Sequence, residues 1–327
     1  MDLSPKVSVL VPIYGVEKYI ERNARSLFSQ DYDNIEYIFV DDCSPDNSVA
    51  ILQSVLNNYP NRASQVTILR HEQNRGLAAT RNTALDSSSG DFLLLIDSDD
   101  WLSSNNVVSK LVETAVGDSA DIVVFDFKNI YVDGEKKCRK NIPTDKKKYL
   151  KFIIEHRITA SLCTCFYRAS LFKDNGIRNV EGINMGEDYS VQPRLIYYAK
   201  KISYLQEFIY CYFRSNENSY VNTYNGPKSK NQALEVIENF FGAKPDYDEY
   251  KSSLAAARHI SVAREFVAWA KFSGDVNIYK QIPRVSSLNY LTNRRLMTKY
   301  KIVLLFNQLR LHRLFHFIVK RMMYKVS

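Results

Sequence analysis

The sequence of 327 residues is longer than one hydrophobic core usually serves, so it predicts one large domain with an appendage or two domains. Apolar residues make up 45% and charged residues 24%, which excludes a mostly disordered chain, and no apolar run approaches the roughly 18 residues of a membrane-spanning helix. The net charge of +8 combines a balance of −7 over residues 1–100 with +15 over the remainder.

Strand and helix patterns alternate over the first 130 residues. The first strand, residues 7–13, is a continuous apolar run, which is typical of a strand buried on both faces of a parallel sheet. The pattern predicts further strands at 35–40, 66–70, 92–96 and 121–127, and helices over about 16–30, 45–58 and 77–87. Ser44 and Pro45 are the expected N-cap and first residue of the second helix. The alternation predicts an α/β fold with a mainly parallel, Rossmann-like doubly wound sheet flanked by helices.

The pattern loosens after about residue 130 and is mainly helical from about 230 onward, which places a domain boundary near 225. Residues 302–319 mix bulky apolar and basic side chains. Asp275 is the last acidic residue, and the 52 residues after it contain eleven Lys or Arg. Such a segment suits the surface of an anionic membrane, but a helix packed on the rest of the protein with a solvated basic edge explains it as well.

The cysteines and the first residues indicate the compartment. Five cysteines are an odd number in a large chain, which is typical of free thiols in a reducing compartment. The amino end has no long apolar stretch followed by a cleavage site, so we expect no signal peptide. The sequence therefore predicts a cytoplasmic protein.

Ligands of doubly wound sheets bind beyond the carboxyl ends of the strands, and the loops after residues 13, 40 and 96 are expected there. The last of these loops reads Asp97-Ser98-Asp99-Asp100. It suits Mg²⁺ or Mn²⁺, which take one or two carboxylates together with substrate phosphates. The alternative is that these acids cap a helix beginning near Ser103, which accounts for one or two of them but hardly for three.

Three further groups of residues are candidates for binding or catalysis. Asp41 could accept a hydrogen bond from a nucleobase or a ribose hydroxyl, whereas Ser44 and Asp46 nearby are better explained as helix caps. Arg81 either binds a diphosphate with its planar guanidinium or pairs with one of the acids, and the sequence does not decide between them. Glu187 and Asp188 open a helical pattern, where acids are favoured whatever the function.

Several classes of function lack their sequence signatures. There is no HExxH, GxSxG, GxxxxGK[ST] or GxGxxG motif, so hydrolase triads, P-loop phosphotransfer and dinucleotide redox chemistry are not indicated. The acidic first part of the chain and the absence of a recognised reading motif also make us expect no nucleic acid partner.

Five segments in series carry a family resemblance. They read KVSVLVPIYGVEKYIERNARSLFSQ, IEYIFVDDCSPDNS, NRGLAATRNTAL, GDFLLLIDSDDWL and GEDYSVQPRL. In this order they closely resemble the bacterial family 2 glycosyltransferases of GT-A fold, over about residues 6–220. The family transfers a sugar from a nucleotide diphosphate to an acceptor hydroxyl, usually with inversion and with Mn²⁺ or Mg²⁺.

The resemblance assigns roles to residues of this chain. Asp97-Ser98-Asp99 matches the DxD motif, which implies that Asp99 is the metal ligand and that Asp97 lies nearer the donor ribose. Asp188, in the Glu-Asp motif, is implied to be the general base. The residues that the resemblance places in the donor site are Pro12, Tyr14, Glu17, Asp41, Arg81, Asp97, Ser98 and Arg214. Of these, Pro12, Tyr14 and Glu17 are implied to line the pocket for the base, usually uracil, which Asp41 contacts.

Two positions depart from the family pattern. Tyr212-Phe213-Arg214 with Ser219 resembles a segment, commonly Tyr-Arg followed by Ser, that closes over the donor phosphates, but Phe213 is inserted. Cys43 stands where the family commonly has Gly, which affects the local backbone geometry rather than the acids.

The resemblance thus predicts a GT-A catalytic domain at residues 1–225, followed by a basic helical region at 226–327. The expected partners are a nucleotide-diphospho-sugar donor, most often a UDP-sugar, and a saccharide or lipid-linked saccharide acceptor of surface-polysaccharide synthesis. The basic region would allow peripheral contact with the inner face of the cytoplasmic membrane. The alternative is a catalytically inactive nucleotide-sugar binding or scaffold protein of the same fold, because fold does not fix function.

Overall fold

The computed structural model describes residues 4–183, 185–216, 228–272, 275–285 and 289–323. The chain divides into two compact units. The first comprises Met1–Tyr149 and Ala160–Tyr220, and the second comprises Leu150–Thr159 and Val221–Ser327. The second unit includes a ten-residue segment that the sequence-based division at 225 assigns to the first. Residue 225 itself lies outside the described residues, so that boundary stays a prediction.

Nine strands form one sheet in the described part of the first unit. They are β1 (Val7–Ile13), β2 (Ile35–Asp41), β3 (Val66–Arg70), β4 (Phe92–Leu95), β5 (Trp101–Leu102), β6 (Ile122–Tyr131), β7 (Gly134–Cys138), β8 (Cys165–Arg168) and β9 (Ile202–Phe213). Their order is β3-β2-β1-β4-β8-β6-β9-β5, and β7 pairs with β6. The strands β3, β2, β1 and β4 are parallel, whereas β8 is antiparallel to both of its neighbours. The sheet is therefore mixed. Its four strands β3, β2, β1 and β4 are parallel as the alternating pattern predicts, whereas the predicted strand β6 is antiparallel to β8 and parallel to β9.

The helices follow the strands along the chain. They are α1 (Ile20–Phe28), α2 (Ser48–Leu56), α3 (Leu77–Ser87), α4 (Val107–Gly117), α5 (Lys146–Ile154), α6 (Ser170–Lys173), α7 (Glu187–Tyr198), α8 (Lys228–Gly242), α9 (Lys251–Phe272), α10 (Val276–Tyr279), α11 (Asn289–Thr292), α12 (Thr298–Gln308) and α13 (His312–Met323). The predictions of strands at 7–13 and 66–70 and of a helix at 77–87 are confirmed to the residue. Burial accounts for the first of these predictions, since six of the seven residues of β1 are buried, whereas the apolar residues of β3 are only half-buried.

Several element boundaries differ from the prediction by one to four residues, and two of these differences have a clear structural cause. The helix expected at 45–58 begins at Ser48, with Asn47 as its N-cap, so the expected capping by Ser44 is wrong. The reason is that Ser44 Oγ is used elsewhere, since it accepts a hydrogen bond from the backbone N–H of Gly15. The strand expected at 121–127 extends to Tyr131, because its second half forms an antiparallel hairpin with β7.

The second unit has its own hydrophobic core. Phe266 of α9 stacks on Trp269 and on Phe315 of α13, with ring centroids 5.6 and 4.5 Å apart. The apolar and basic stretch at 302–319 is two helices, since Arg310 takes a left-handed backbone conformation (φ 56°) between α12 and α13. Within the described ranges, no helix is both long and apolar enough to cross a membrane.

Candidate active site

The carboxyl ends of three neighbouring strands form the edge at which the site lies. Because β2, β1 and β4 are adjacent and parallel, the loops that follow them emerge on the same side. Ile13 pairs with Asp41, and Leu10 pairs with Leu95 two residues before Asp97. The acidic loops after β2 and β4 are thus brought together with the loop after β1, as the strand order of a doubly wound sheet predicts.

The loops after β1 and β2 are tied together by side chains. Asp41 is buried, and its Oδ1 accepts a hydrogen bond from the Ser44 backbone N–H at 2.8 Å. Asp46 Oδ2 accepts the backbone N–H of Glu17 at 2.9 Å, and the Glu17 carboxylate accepts the backbone N–H of Asn47 at 3.2 Å. These contacts fix the shape of the edge at which the base of a nucleotide is expected.

The residues predicted for the base pocket differ in their exposure. Tyr14 is exposed and Pro12 is half-buried at the end of β1, while Asp41 also forms an ion pair with Arg70 at 3.2 Å. Cys43 has φ 58°, in the left-handed region that favours glycine. A cysteine therefore takes a glycine-favouring conformation at the position where the family commonly has Gly.

The Asp97–Asp100 turn is held from two sides. On one side, the buried Asn23 of α1 donates hydrogen bonds from Nδ2 to the backbone carbonyls of Asp97 and Asp100, at 3.2 and 2.9 Å. On the other side, the Tyr210 hydroxyl and the Phe213 backbone N–H of β9 both donate to the Asp100 carboxylate. Asp100 thus holds the turn to β9, and Ser98 is buried within it.

Asp99 is linked to the segment that follows β9. Its Oδ2 accepts a hydrogen bond from Asn216 Nδ2 at 2.8 Å. Burial, together with the nearby charge of Asp97, raises the pKa of Asp99 to about 6. Burial and the charges of Asp99 and Asp97 also raise the pKa of Asp100. The turn therefore concentrates negative charge that a cation would relieve.

The carboxylates of this turn suit a divalent cation that is held partly by substrate and water. Among the described residues, no group of three or more His, Cys, Asp or Glu side chains is placed to enclose a metal ion. A metal site made wholly of protein ligands is therefore not indicated in this part of the chain. One or two carboxylates with the remaining positions filled by phosphate oxygens and water is the arrangement usual for Mg²⁺, and Asp97 and Asp99 suit it.

Arg81 links the two acidic groups of the site. Its side chain is only 3% exposed, and Nη2 contacts Asp97 Oδ1 at 2.8 Å. Nη1 contacts Asp188 Oδ1 at 2.9 Å and Glu187 Oε1 at 3.2 Å. The sequence left open whether Arg81 binds a diphosphate or pairs with nearby acids, and in the structure it pairs with acids. A further role on a donor diphosphate stays a prediction.

The two acids at the start of α7 titrate abnormally. Burial and the neighbouring charge of Asp188 raise the pKa of Glu187 to about 7. Burial also raises the pKa of Asp188, although the Arg81 guanidinium opposes this by favouring the carboxylate. A carboxylate with a raised pKa accepts a proton more readily than an exposed one, which suits general-base chemistry.

The end of β9 carries an aromatic and cationic group beside the turn. Arg22 of α1 lies 3.6 Å from the centre of the Trp101 ring and 4.8 Å from that of Phe213. One of its nitrogens donates to the Asp99 backbone carbonyl at 3.3 Å. Phe213, the insertion relative to the family segment, is therefore one of two aromatic rings that contact the Arg22 guanidinium. Arg214 is exposed, 4.9 Å from the Tyr212 ring, and Ser219 lies outside the described residues.

Sequence reasoning missed four residues that hold the acidic turn. They are Arg22, Asn23, Tyr210 and Asn216. Their partners are 74 or more positions away in the chain, so no local pattern could pair them. The only available signal was that a polar Asn23 occupies the apolar face of α1.

Known proteins match more than half of this chain. The model of the family "Glycosyl transferase family 2" matches residues 8–176. The putative glycosyltransferase EpsH of Bacillus subtilis is 29% identical over 228 residues, which are 68% of this chain and 64% of EpsH. The poly(ribitol-phosphate) beta-N-acetylglucosaminyltransferase TarS of Staphylococcus aureus is 28% identical over 239 residues, 71% of this chain and 40% of TarS. The matched part thus spans less than two thirds of either relative.

Solved structures support the fold. The crystal structure of S. aureus TarS 1–349 with UDP-GlcNAc has a TM-score of 0.71 at 22% identity, covering 92% of this chain and 91% of that one. The mannosyltransferase PcManGT of Pyrobaculum calidifontis, with GDP-Man and Mn²⁺, has a TM-score of 0.52 at 15% identity over 94% and 85%. The predicted GT-A fold is confirmed, and because the family model covers more than half of the sequence, the chain belongs to glycosyl transferase family 2.

Proposed function

We propose that the chain transfers a sugar, with inversion, from a nucleotide-diphospho-sugar to a hydroxyl of a saccharide or lipid-linked saccharide. One observation carries this proposal: Arg81 contacts both Asp97, of the loop that suits a donor, and Asp188, the candidate base, at 2.8 and 2.9 Å. The shared guanidinium keeps the candidate donor loop and the candidate base close together, and a direct displacement at the sugar requires that closeness.

The donor would bind along the edge formed by β2, β1 and β4. Asp41, with Pro12, Tyr14 and Glu17, would hold the base, and Asp97 with Ser98 would hold the ribose. UDP is the proposed nucleotide, since the TarS structure contains UDP-GlcNAc. Arg214, exposed at the end of β9, would contact the diphosphate.

A divalent cation belongs to this proposal. Asp99, with Asp97 beside it, would hold Mn²⁺ or Mg²⁺ together with the donor diphosphate, and the clustered negative charge of the turn favours such a cation. When bound, the cation would neutralise charge on the leaving diphosphate. The distant neighbour PcManGT, whose structure contains GDP-Man and Mn²⁺, supports metal dependence in this fold.

Asp188 would act as the general base. Its carboxylate would accept the proton of the acceptor hydroxyl as the oxygen attacks the anomeric carbon. Arg81 would keep Asp188 ionised and oriented, because its guanidinium lowers the pKa that burial raises. Glu187 contacts the same guanidinium nitrogen of Arg81 as Asp188 does, so its protonation would change the net charge around Asp188.

The acceptor and the setting follow from the relatives. TarS acts on poly(ribitol-phosphate), so we propose a bacterial cell-surface polymer or its lipid-linked precursor as acceptor. We place the reaction in the cytoplasm, which the free cysteines of the described residues support.

An activity assay with two neighbouring variants tests the proposal. Release of UDP from UDP-GlcNAc is measured with poly(ribitol-phosphate) and with simple saccharides as acceptors. We expect Asp188→Asn to bind UDP like the wild type and to lose turnover at least a hundredfold, while Glu187→Gln keeps most of it. Equal losses in both variants would remove Asp188 from the role of base. Normal UDP binding with no turnover by the wild type on any acceptor would favour the scaffold protein.

A further inference from the structure

The helices α12 and α13 carry apolar side chains on two opposite sides. One side packs into the core of the second unit, where Leu304 and Phe315 are buried. The other side is exposed, with Leu309 56%, Leu314 49% and Phe317 60% accessible. We call the following exposed residues the outer face: Ile302, Leu305, Leu309, Leu314, Phe317 and Ile318.

The spacing of these residues makes each set a continuous stripe. Residues three, four or seven apart lie on one side of a helix. Residues 302 and 305 of α12 follow this rule, and Leu309 extends their side at the residue that ends the helix; residues 314, 317 and 318 follow it on α13. Single exposed apolar residues are ordinary on a protein surface, but two stripes on consecutive helices indicate a surface that a partner covers.

The charge around the stripes has one sign. Lys299, Lys301, Arg313, Lys320 and Arg321 belong to the same two helices. The chain contains no Asp or Glu after Asp275, so no acid of this region opposes them. Two copies of such a face would repel each other, which disfavours self-association as the purpose of the exposed apolar residues.

We propose that the outer face docks on an anionic lipid bilayer. The apolar stripes would enter the headgroup region, and the flanking Lys and Arg would contact lipid phosphates. Helices of 11 and 12 residues are too short to span a bilayer, so they would lie on its surface. This surface goes beyond the proposed transfer reaction and does not depend on it.

Flotation of the full chain with lipid vesicles tests the proposal. The vesicles contain phosphatidylcholine alone or phosphatidylcholine with phosphatidylglycerol, and neither nucleotide nor metal is added. We expect flotation only with the anionic vesicles, weakening as salt rises. Phe317→Ser is expected to lower partitioning about tenfold. Arg313→Gln with Lys320→Gln is expected to lower it about thirtyfold, since each basic residue contributes about one kcal/mol.

The control is Val116→Ser, which changes an exposed apolar residue of α4 in the first unit and should leave flotation unchanged. Thermal melting of each variant establishes that it folds. Equal flotation with neutral vesicles, unchanged flotation of the Phe317 variant or no flotation of the wild type would overturn the proposal. Self-association of the wild type that Phe317→Ser abolishes would assign the face to a second copy instead. Because donor binding is measured separately, failure here leaves the proposed transferase intact.

Discussion

Replacing Arg81 by methionine removes the cation whose guanidinium contacts both acidic groups of the site. The side chain is 3% exposed, and the carboxylates of Asp97, Glu187 and Asp188 lie within 3.2 Å of its nitrogens. Methionine fills a similar volume, so the change removes charge more than packing. We therefore expect its effect to come from three carboxylates that lose their counter-ion.

The magnitude follows from the burial of the pair. Breaking a buried ion pair by removing one partner typically costs 3–5 kcal/mol, because the other charge is left uncompensated. Here the carboxylates keep some contact with solvent, so we expect the free energy of unfolding at pH 8 to fall by about 3 kcal/mol, the lower end of that range. The pKa values of Glu187 and Asp188, already raised by burial, should rise further without the guanidinium.

The pH dependence gives the sign. A carboxyl whose pKa is higher in the folded than in the unfolded state lowers the stability of the fold at high pH, where it is ionised in both states. This loss of stability shrinks as the pH falls through the folded pKa, because the carboxyl is then protonated in the folded state. The difference between Arg81→Met and the wild type should therefore shrink between pH 8 and pH 5. Urea unfolding at several pH values measures it.

Arg178→Met is the matched control. Arg178 also contacts a carboxylate with both guanidinium nitrogens, that of Asp86, but both side chains are exposed. We expect a loss below about 1 kcal/mol that varies little with pH, as for surface ion pairs. Equal losses in the two variants, or a loss for Arg81→Met that does not change with pH, would refute the view that Arg81 compensates buried charge.

Three further predictions follow from individual contacts. The kcat/KM of the wild type should fall as the pH is lowered, because Asp188, whose pKa burial raises, takes up a proton, and a profile that stays flat down to pH 3.8, the ordinary pKa of an Asp carboxyl, would contradict this. Asn216→Ala should weaken Mn²⁺-dependent UDP binding about tenfold in calorimetry, since Asp99 loses a partner that orients it; unchanged affinity would show that Asn216 does not orient Asp99. Cys43→Val should be about 1–2 kcal/mol less stable than Cys43→Gly in urea unfolding, because φ 58° strains a β-branched residue, and equal stability would argue against that strain.

The parts of the fold that sequence predicts best are those fixed by local burial. The run VSVLVPI is typical of a buried strand, and it forms one. The parallel order of β2, β1 and β4 then brings the acids of the loops after β2 and β4 to one edge of the sheet. The start of α2 was not predictable in this way. Ser44 and Pro45 satisfy the local rule for a helix start, but the Ser44 hydroxyl accepts a hydrogen bond from the backbone N–H of Gly15, 29 positions away.

The candidate acids were found from sequence, whereas their supports were not. Asp97, Asp99 and Asp188 stand out by their density and motif. Asn216 contacts Asp99 across 117 positions, and a single Asn in a polar segment carries no sign of its partner. Arg81 is an intermediate case, because the sequence indicated nearby acids as one of two possible partners but did not decide between them and a diphosphate.

Calorimetric titration of UDP, GDP, CDP and dTDP, with and without Mn²⁺, tests the central claim most directly. We expect one nucleotide to bind in a metal-dependent way, and Asp99→Asn to abolish the metal dependence while the Asp86→Asn control binds like the wild type. Absence of binding by any nucleotide under either condition would contradict the assignment of this site to a nucleotide-sugar donor.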